Sequence, residues 1–217
     1  MKVMAFNGSP RQEGWNTVTL LEHALQGAES AGARTELVQL YSLDFSGCIS
    51  CFACKRLDRE EDGVCALQDD LSPVLDRVQD CDALIIGTPV YYGTESSGTR
   101  AFLERLCFPY LKYDPDRISL FPKRINTAMI YTMNVPENKI QEMGFDQVFN
   151  MTKKFLQLHF GSCELLLSTD TLQYPDYDLY EAKMFDKEAK YQRHHQVFPQ
   201  DCQRARELGK RMASSQA

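Results

Sequence analysis

The sequence lacks both of the glycine-rich loops that commonly mark a nucleotide site. Its first apolar run, Val3 to Phe6, leads into Asn7-Gly8-Ser9-Pro10-Arg11. Neither G-x-G-x-x-G nor Gly-Lys-Ser/Thr stands there, which argues against a dinucleotide pyrophosphate loop and a nucleoside-triphosphatase loop. An excess of positive charge is also missing: 24 Lys and Arg face 30 Asp and Glu, for a net charge of −6. Nucleic-acid binding needs a basic face to meet phosphates, so no nucleic-acid partner is expected. No run approaches the roughly 20 apolar residues of a membrane helix, so no membrane partner is expected. The first residues carry no basic segment followed by a long apolar region, so we expect no signal peptide and a cytoplasmic location.

Internal repeats, low-complexity linkers and charge blocks are absent too. Residues 1–217 are therefore read as one domain, with the polar, aromatic-rich stretch from about 173 to 217 as a helical extension. A chain of this length buries roughly 70% of the surface its unfolded form exposes, so it needs no cross-links to fold. Its eight cysteines are accordingly read as reduced thiols, metal ligands or redox groups.

What is present is an alternation of strands and helices. Val3–Phe6, "RTELVQL", "DALIIGTP", "INTAMIYTM" and "CELLLSTDTL" read as five strands whose cores are apolar throughout. Between them, Leu20, Leu21, Ala24, Leu25 and Ala28 recur at helical spacing, with Gly32 as the stop. Leu71, Val74, Leu75 and Val78 repeat that spacing behind Asp69 or Asp70 as a cap. Helices are also expected over Ser97–Pro109, over Lys139 to about Phe160, and from about Pro199 with Cys202, Ala205, Leu208 and Met212 on one side. Continuous apolar strands separated by helices indicate an α/β protein, a parallel sheet covered on both faces.

A helix N-terminus presents free N–H groups and the positive end of the helix dipole, so it attracts anions. Around the first such terminus stand two hydroxyls (Ser9, Thr17), an amide (Asn16) and a guanidinium (Arg11), donors suited to a phosphate dianion. The alternative is that they only form a turn and a cap. "GTPVYYGTESSG" follows the third strand, again at its carboxyl end. In doubly wound sheets ordered 2-1-3-4-5, ligands sit between the first and third strands. Pro89 to Gly93 would offer a flat surface there for a planar heterocycle, the alternative for Tyr91 and Tyr92 being ordinary packing with their hydroxyls at the surface.

"NGSPR…NT" followed by "GTPVYYGTESSGTRAFLER" resembles the NAD(P)H-dependent FMN reductase family of flavodoxin-like proteins, over residues 1 to about 160. The resemblance implies a doubly wound, five-stranded parallel sheet in the order 2-1-3-4-5. It implies FMN phosphate contacts from Ser9, Arg11, Asn16 and Thr17. Isoalloxazine and ribityl contacts would come from Pro89, Val90, Tyr91, Tyr92 and Gly93. Thr132, Met133 and Asn134 match in position a third loop at the flavin edge. A homodimer or higher homo-oligomer is also implied, since neighbouring subunits often help wall such pockets.

"GCISCFACKRLDREEDGVCALQDD" places Cys48, Cys51 and Cys54 at C-x2-C-x2-C, with Cys65 after ten intervening residues. Thiolates so spaced can wrap one 4Fe–4S cubane, with a distal cysteine completing it. The segment resembles that of the iron–sulfur flavoproteins, a branch of the same family. Free thiols, a redox-active pair and a zinc site remain as alternatives. Cys81, Cys107, Cys163 and Cys202 are expected in or beside the core, His194-His195 on a solvated face, and Asp58–Asp62 in an exposed loop. The function expected is an FMN-dependent oxidoreductase that takes hydride from NAD(P)H and passes electrons to a small acceptor: a flavin, a quinone or another aromatic. The chemistry of such an enzyme is mostly the cofactor's, so no acid or base is nominated. The rival readings are a flavin electron carrier serving a protein partner and a binding module without redox chemistry.

Overall fold

Lys2–Asn7 forms β1, one strand in from the edge of a parallel sheet, in a computed structural model that describes residues 1–59 and 61–214. β2 (Arg34–Gln39) lies on one side of it. On the other side follow β3 (Ala83–Tyr91), β5 (Asn126–Thr132) and β6 (Glu164–Ser168). The parallel path β2-β1-β3-β5-β6 is the expected order 2-1-3-4-5, but among the described residues the sheet has six strands, not five. The addition is β4 (Thr94–Glu95), a two-residue antiparallel return on the end of β3. Nothing in its length or periodicity signals a strand.

Each central strand buries both faces, which is why its sequence shows no polar alternation. Met4, Phe6, Leu84, Ile86, Met129 and Tyr131 face α2 (Ser72–Val78), α3 (Ser97–Cys107) and α4 (Phe145–Phe160). Val3, Ala5, Ala83, Ile85, Ala128 and Ile130 face α1 (Asn16–Ser30) and α6 (Phe198–Met212). α1 and α6 touch backbone to backbone. A Cβ on Gly27 would stand 1.9 Å from the Arg206 carbonyl oxygen, and one on Gly209 would stand 1.7 Å from that of Ala24.

Helix ends follow local chemistry. α1 stops before Gly32, which takes φ +85° and donates its N–H to the Glu29 carbonyl. The α2 N-cap position is Leu71, without a side-chain cap, while Asp69 accepts from the Leu71 N–H just outside the helix. α4 starts at Phe145 and not near Lys139, because Gly144 at φ +72° breaks the periodic stretch after a 3-10 turn.

The extension is helical only from Lys187. Before it, the chain runs irregularly apart from a 3-10 turn at Tyr177–Leu179. α5 (Lys187–Gln196) falls inside the stretch read as a helical extension, although the sequence marked no bounds for it. Asp186 caps it, accepting from the Ala189 N–H at 3.1 Å, and its sequence is too polar to show a stripe. His195 is exposed, whereas His194 is half-buried and stacks on Phe198. Cys81, Cys163 and Cys202 are buried and Cys107 is half-buried. Among the described residues, no helix is long and apolar enough to cross a membrane.

Candidate functional site

At the carboxyl ends of β1, β3 and β5, three loops are tied together by hydrogen bonds. The Gly8 N–H donates to the Gly87 carbonyl at 2.8 Å. Ser96, the N-cap of α3, donates its hydroxyl to the Gly8 carbonyl at 2.5 Å. Gly8 is packed so closely that a Cβ would lie 1.7 Å from Thr99 Oγ1. Within the first loop, Asn7 Oδ1 accepts from the Ser9 N–H, and Ser9 Oγ accepts from the Arg11 N–H. Thr17, at the start of α1, meets Thr132 at the end of β5, hydroxyl to hydroxyl, at 2.7 Å.

These loops enclose a cleft of about 170 Å³. Its walls are Ser9, Arg11, Trp15, Asn16 and Thr17 from the first loop, Pro89, Val90 and Tyr91 from the second, and Thr132, Met133 and Asn134 from the third. The N-terminus of α1 opens into this group with no side-chain cap and no acidic residue in its first turn. Its first N–H groups have no intrahelical partner, so the end of the helix is electropositive. Arg11 lies over the Trp15 ring at 4.0 Å. Burial pushes the Tyr91 phenol up, and the Arg11 charge acts against it.

Ten of the twelve residues assigned to the cofactor from the sequence therefore line one cleft. Tyr92 and Gly93 do not. They form the tip of the β3–β4 hairpin with φ +49° and +85°, the left-handed pair a two-residue type I′ turn requires. Tyr92 is fully exposed, and Gly93 faces Phe145.

A fourth wall was missed. Thr171, Leu172 and Gln173, after β6, close the cleft from the far side. The Leu172 carbonyl accepts from Asn16 Nδ2, and the Gln173 carbonyl from an Arg11 Nη1, both at 2.8 Å. Asn134 Nδ2 donates to Gln173 Oε1 at 2.6 Å. The segment is pinned in turn by buried Lys190 of α5, whose Nζ donates to the Asn134 carbonyl at 3.0 Å and also bonds Asn134 Oδ1 and Asp170. Arg11 and Asn16 thus hold the strap and still carry unused N–H groups. The one available signal was positional, since the strap leaves the carboxyl end of the last strand.

The cysteine segment folds between β2 and α2, against the C-terminal half of α3. Cys48, Cys51, Cys54 and Cys65 line one small apolar hollow together with Ile49, Phe52, Leu67, Phe108 and Pro109. Ser50 and Phe52, flanking Cys51, both take φ +56°. Such conformations persist in non-glycine residues only where the surroundings impose them. Lys55 Nζ donates to the carbonyls of Phe108 at 2.5 Å, Pro109 at 3.2 Å and Leu111 at 2.6 Å. Burial pushes the Cys54 thiol up against the Lys55 charge, and the neighbouring thiols push it further. Among the described residues, no three His, Cys, Asp or Glu side chains gather tightly enough to hold one metal ion. The four thiols share one hollow; a cubane is bound by one thiolate at each of four corners, and tetrahedral zinc also accepts four thiolates.

A family model described as NADPH-dependent FMN reductase matches residues 1–123. The chain belongs to this family. An iron–sulfur flavoprotein of Methanocaldococcus jannaschii is 36% identical over 105 residues, covering 48% of this FMN reductase family member and 51% of that protein. The chain spans about half the length of the curated relatives it matches in this way. Among solved structures, an NAD(P)H:quinone oxidoreductase from Methanothermobacter marburgensis superposes with a TM-score of 0.71 at 15% identity, covering 100% of this chain and 98% of that one. An FMN-dependent NADH-azoreductase from Bacillus anthracis, solved in complex with FMN, gives 0.67 at 12% identity, with 99% and 100% covered. At such identities these likenesses establish the flavodoxin-like fold of this family member and nothing finer.

Proposed function

We propose that this protein is an FMN-dependent NAD(P)H oxidoreductase that passes electrons to a small acceptor such as a flavin, a quinone or another aromatic. The observation that carries the reading is the uncapped N-terminus of α1 opening into a cleft lined by Ser9, Arg11, Asn16 and Thr17. A terminal phosphate suits those donors. Pro89, Val90 and Tyr91 with Thr132, Met133 and Asn134 would hold the ribityl chain and the ring. When bound, FMN supplies the hydride-accepting and electron-releasing chemistry. The chain's own residues bind the phosphate, orient the ring against the β3 loop, and close the phosphate end with the strap.

The four thiols of the hollow are proposed as ligands of a 4Fe–4S cluster, Cys48, Cys51 and Cys54 from one turn and Cys65 from the returning chain. Support comes from their common hollow, its apolar lining and the left-handed backbone on both sides of Cys51.

Fluorescence titration of the FMN-free protein tests the first reading. Asn16→Ala with Thr17→Ala should weaken FMN binding by more than about tenfold, since two hydrogen bonds to a charged group are removed. An unchanged affinity rejects the placement. Steady-state oxidation of NADH and NADPH with a quinone then separates an enzyme from a carrier, because a carrier binds FMN yet turns over slowly alone. Iron analysis after anaerobic reconstitution tests the cluster: about four irons per chain are expected, lost in Cys65→Ser with FMN binding retained. Iron-free reconstituted protein rejects it.

A further inference from the structure

Glu95 is buried, with 2% of its surface exposed, and no cation pairs with it among the described residues. Three hydroxyls meet its carboxylate instead. Tyr131 Oη and Thr152 Oγ1 both donate to Oε1 at 2.6 Å, and Thr94 Oγ1 donates to Oε2 at 2.7 Å. Tyr131 belongs to β5 and stacks on Phe149 of α4 at 4.1 Å; Thr152 also belongs to α4. One carboxylate thus joins the β3–β4 hairpin, β5 and α4. Burial acts to raise its pKa, but the three hydroxyl bonds outweigh burial and hold it below the ordinary value, so the group is ionised. Burial pushes the Tyr131 phenol far up, and the Glu95 charge adds to it.

A buried carboxylate without a cation is unfavourable unless every acceptor is satisfied, and an apolar residue would fill this place at less risk to stability. Its position suggests what the charge does. Glu95 stands directly opposite Val90 in the hairpin register, and Val90 is part of the cleft wall. Paired residues of an antiparallel ladder place their side chains on the same face, with Cβ atoms about 5 Å apart. The charge therefore lies just behind the wall proposed to face the flavin ring, without lining the cleft itself.

We infer that Glu95 is a positioning residue of the flavin site, an ionised carboxylate that fixes the Val90–Glu95 hairpin against β5 and α4 and sets a negative potential behind the wall of the cleft. The inference rests on the proposed flavin reading. Two-electron reduction with uptake of one proton leaves the bound ring one charge more negative, and a fixed negative charge nearby disfavours that form. Glu95 thus holds the FMN potential down, making the reduced protein the stronger reductant.

The test compares the parent with Glu95→Gln, which keeps the shape and removes the charge. Two readouts that need no turnover are taken: the FMN reduction potential by dye equilibration, and amide exchange of residues 90–95 in FMN-free protein. In E95Q the ratio of reduced to oxidised FMN affinity is expected to rise about tenfold, the order of one charge acting across a hairpin in a partly polar interior. For a two-electron couple that is about +30 mV. Hairpin exchange is expected to accelerate as an amide replaces the three-fold acceptor. A protein in which the carboxylate serves packing alone would show faster exchange without the change in ratio. Either readout unchanged in E95Q overturns the inference while leaving the flavin reading intact. If E95Q does not fold, E95M/Y131F/T152V removes the charge and the two long-range donors together, and the same rise in ratio is required of it. Parent protein that takes up no FMN overturns the flavin reading and this inference with it.

Discussion

Buried Arg105 and half-buried Asp69 form a two-point ion pair, Nη1 to Oδ2 at 2.6 Å and Nη2 to Oδ1 at 3.1 Å. The same guanidinium donates to the carbonyls of Ser46 at 3.1 Å and Leu67 at 3.3 Å. All four cysteines of the hollow lie between those two residues, so one α3 side chain staples the mouth of their loop. Replacing Arg105 with Met leaves Asp69 and two carbonyls without their partner. The expected loss is about 3 kcal/mol of stability in urea unfolding, with Arg105→Lys intermediate because it keeps the charge but loses the fork. Burial acts to raise the Asp69 pKa, and the hydrogen bonds and charge of Arg105 outweigh it, so the carboxyl sits below its ordinary value. Its contribution is full above the unfolded carboxyl range and lost as pH falls through the lowered folded value. R105M should flatten that acid-side slope.

The reciprocal glycines of α1 and α6 predict a reversal of helix propensity. Alanine normally stabilises a helix interior relative to glycine by about 1 kcal/mol. Here the new methyl of Gly27→Ala or Gly209→Ala would overlap a backbone carbonyl of the other helix. Each is expected to destabilise by about 2 kcal/mol, lowering the melting midpoint by roughly 4–8 °C. An unchanged or raised midpoint would mean that the two helices separate without loss.

His159 is buried at the end of α4, and burial, aided by the Lys55 charge, lowers its pKa to about 4. A histidine whose folded pKa is depressed contributes fully above its unfolded value of about 6.5 and loses that contribution as pH falls toward 4. Stability by urea unfolding should therefore decline between pH 6.5 and 4 in the parent. His159→Phe should show a shallower decline over that window, and an identical one would place the proton elsewhere.

Lys190 predicts how the strap is held. Lys190→Met leaves Asp170 and Asn134 without their shared cation, though the strap keeps its bonds to Arg11 and Asn16. FMN affinity should fall by about tenfold, and limited proteolysis between residues 170 and 186 should quicken. Parent-like affinity and cleavage would show that α5 is dispensable to the cleft.

What could be read from the sequence was whatever leaves a period or a compositional mark. The apolar strands, the 3.6-residue stripes of α1 and α6, and the polar loops after β1 and β3 were legible for that reason. Leu172 and Gln173 were not, because they contribute backbone carbonyls, which any residue supplies. The Tyr92-Gly93 turn was hidden by its first residue, since type I′ turns usually announce themselves as Asn-Gly or Asp-Gly. α5 buries only Lys190 and so shows no stripe. The order of the parallel strands followed from the resemblance and from the alternation of elements, whereas β4 is too short for any pattern.

The bonds from Arg11 and Asn16 to the strap span 162 and 156 residues of chain. On a ribosome adding about 5–20 residues per second, that separation is roughly 8–30 s. Through that interval the first loop has left the tunnel, and its donors face water instead of the carbonyls they will hold. The donors at the start of α1 are therefore made well before the carbonyls of Leu172 and Gln173 that they hold. Order of synthesis thus puts the closing of this wall after residues 172 and 173 have been made, and a chain stopped short of them would leave the Arg11 and Asn16 donors open to water.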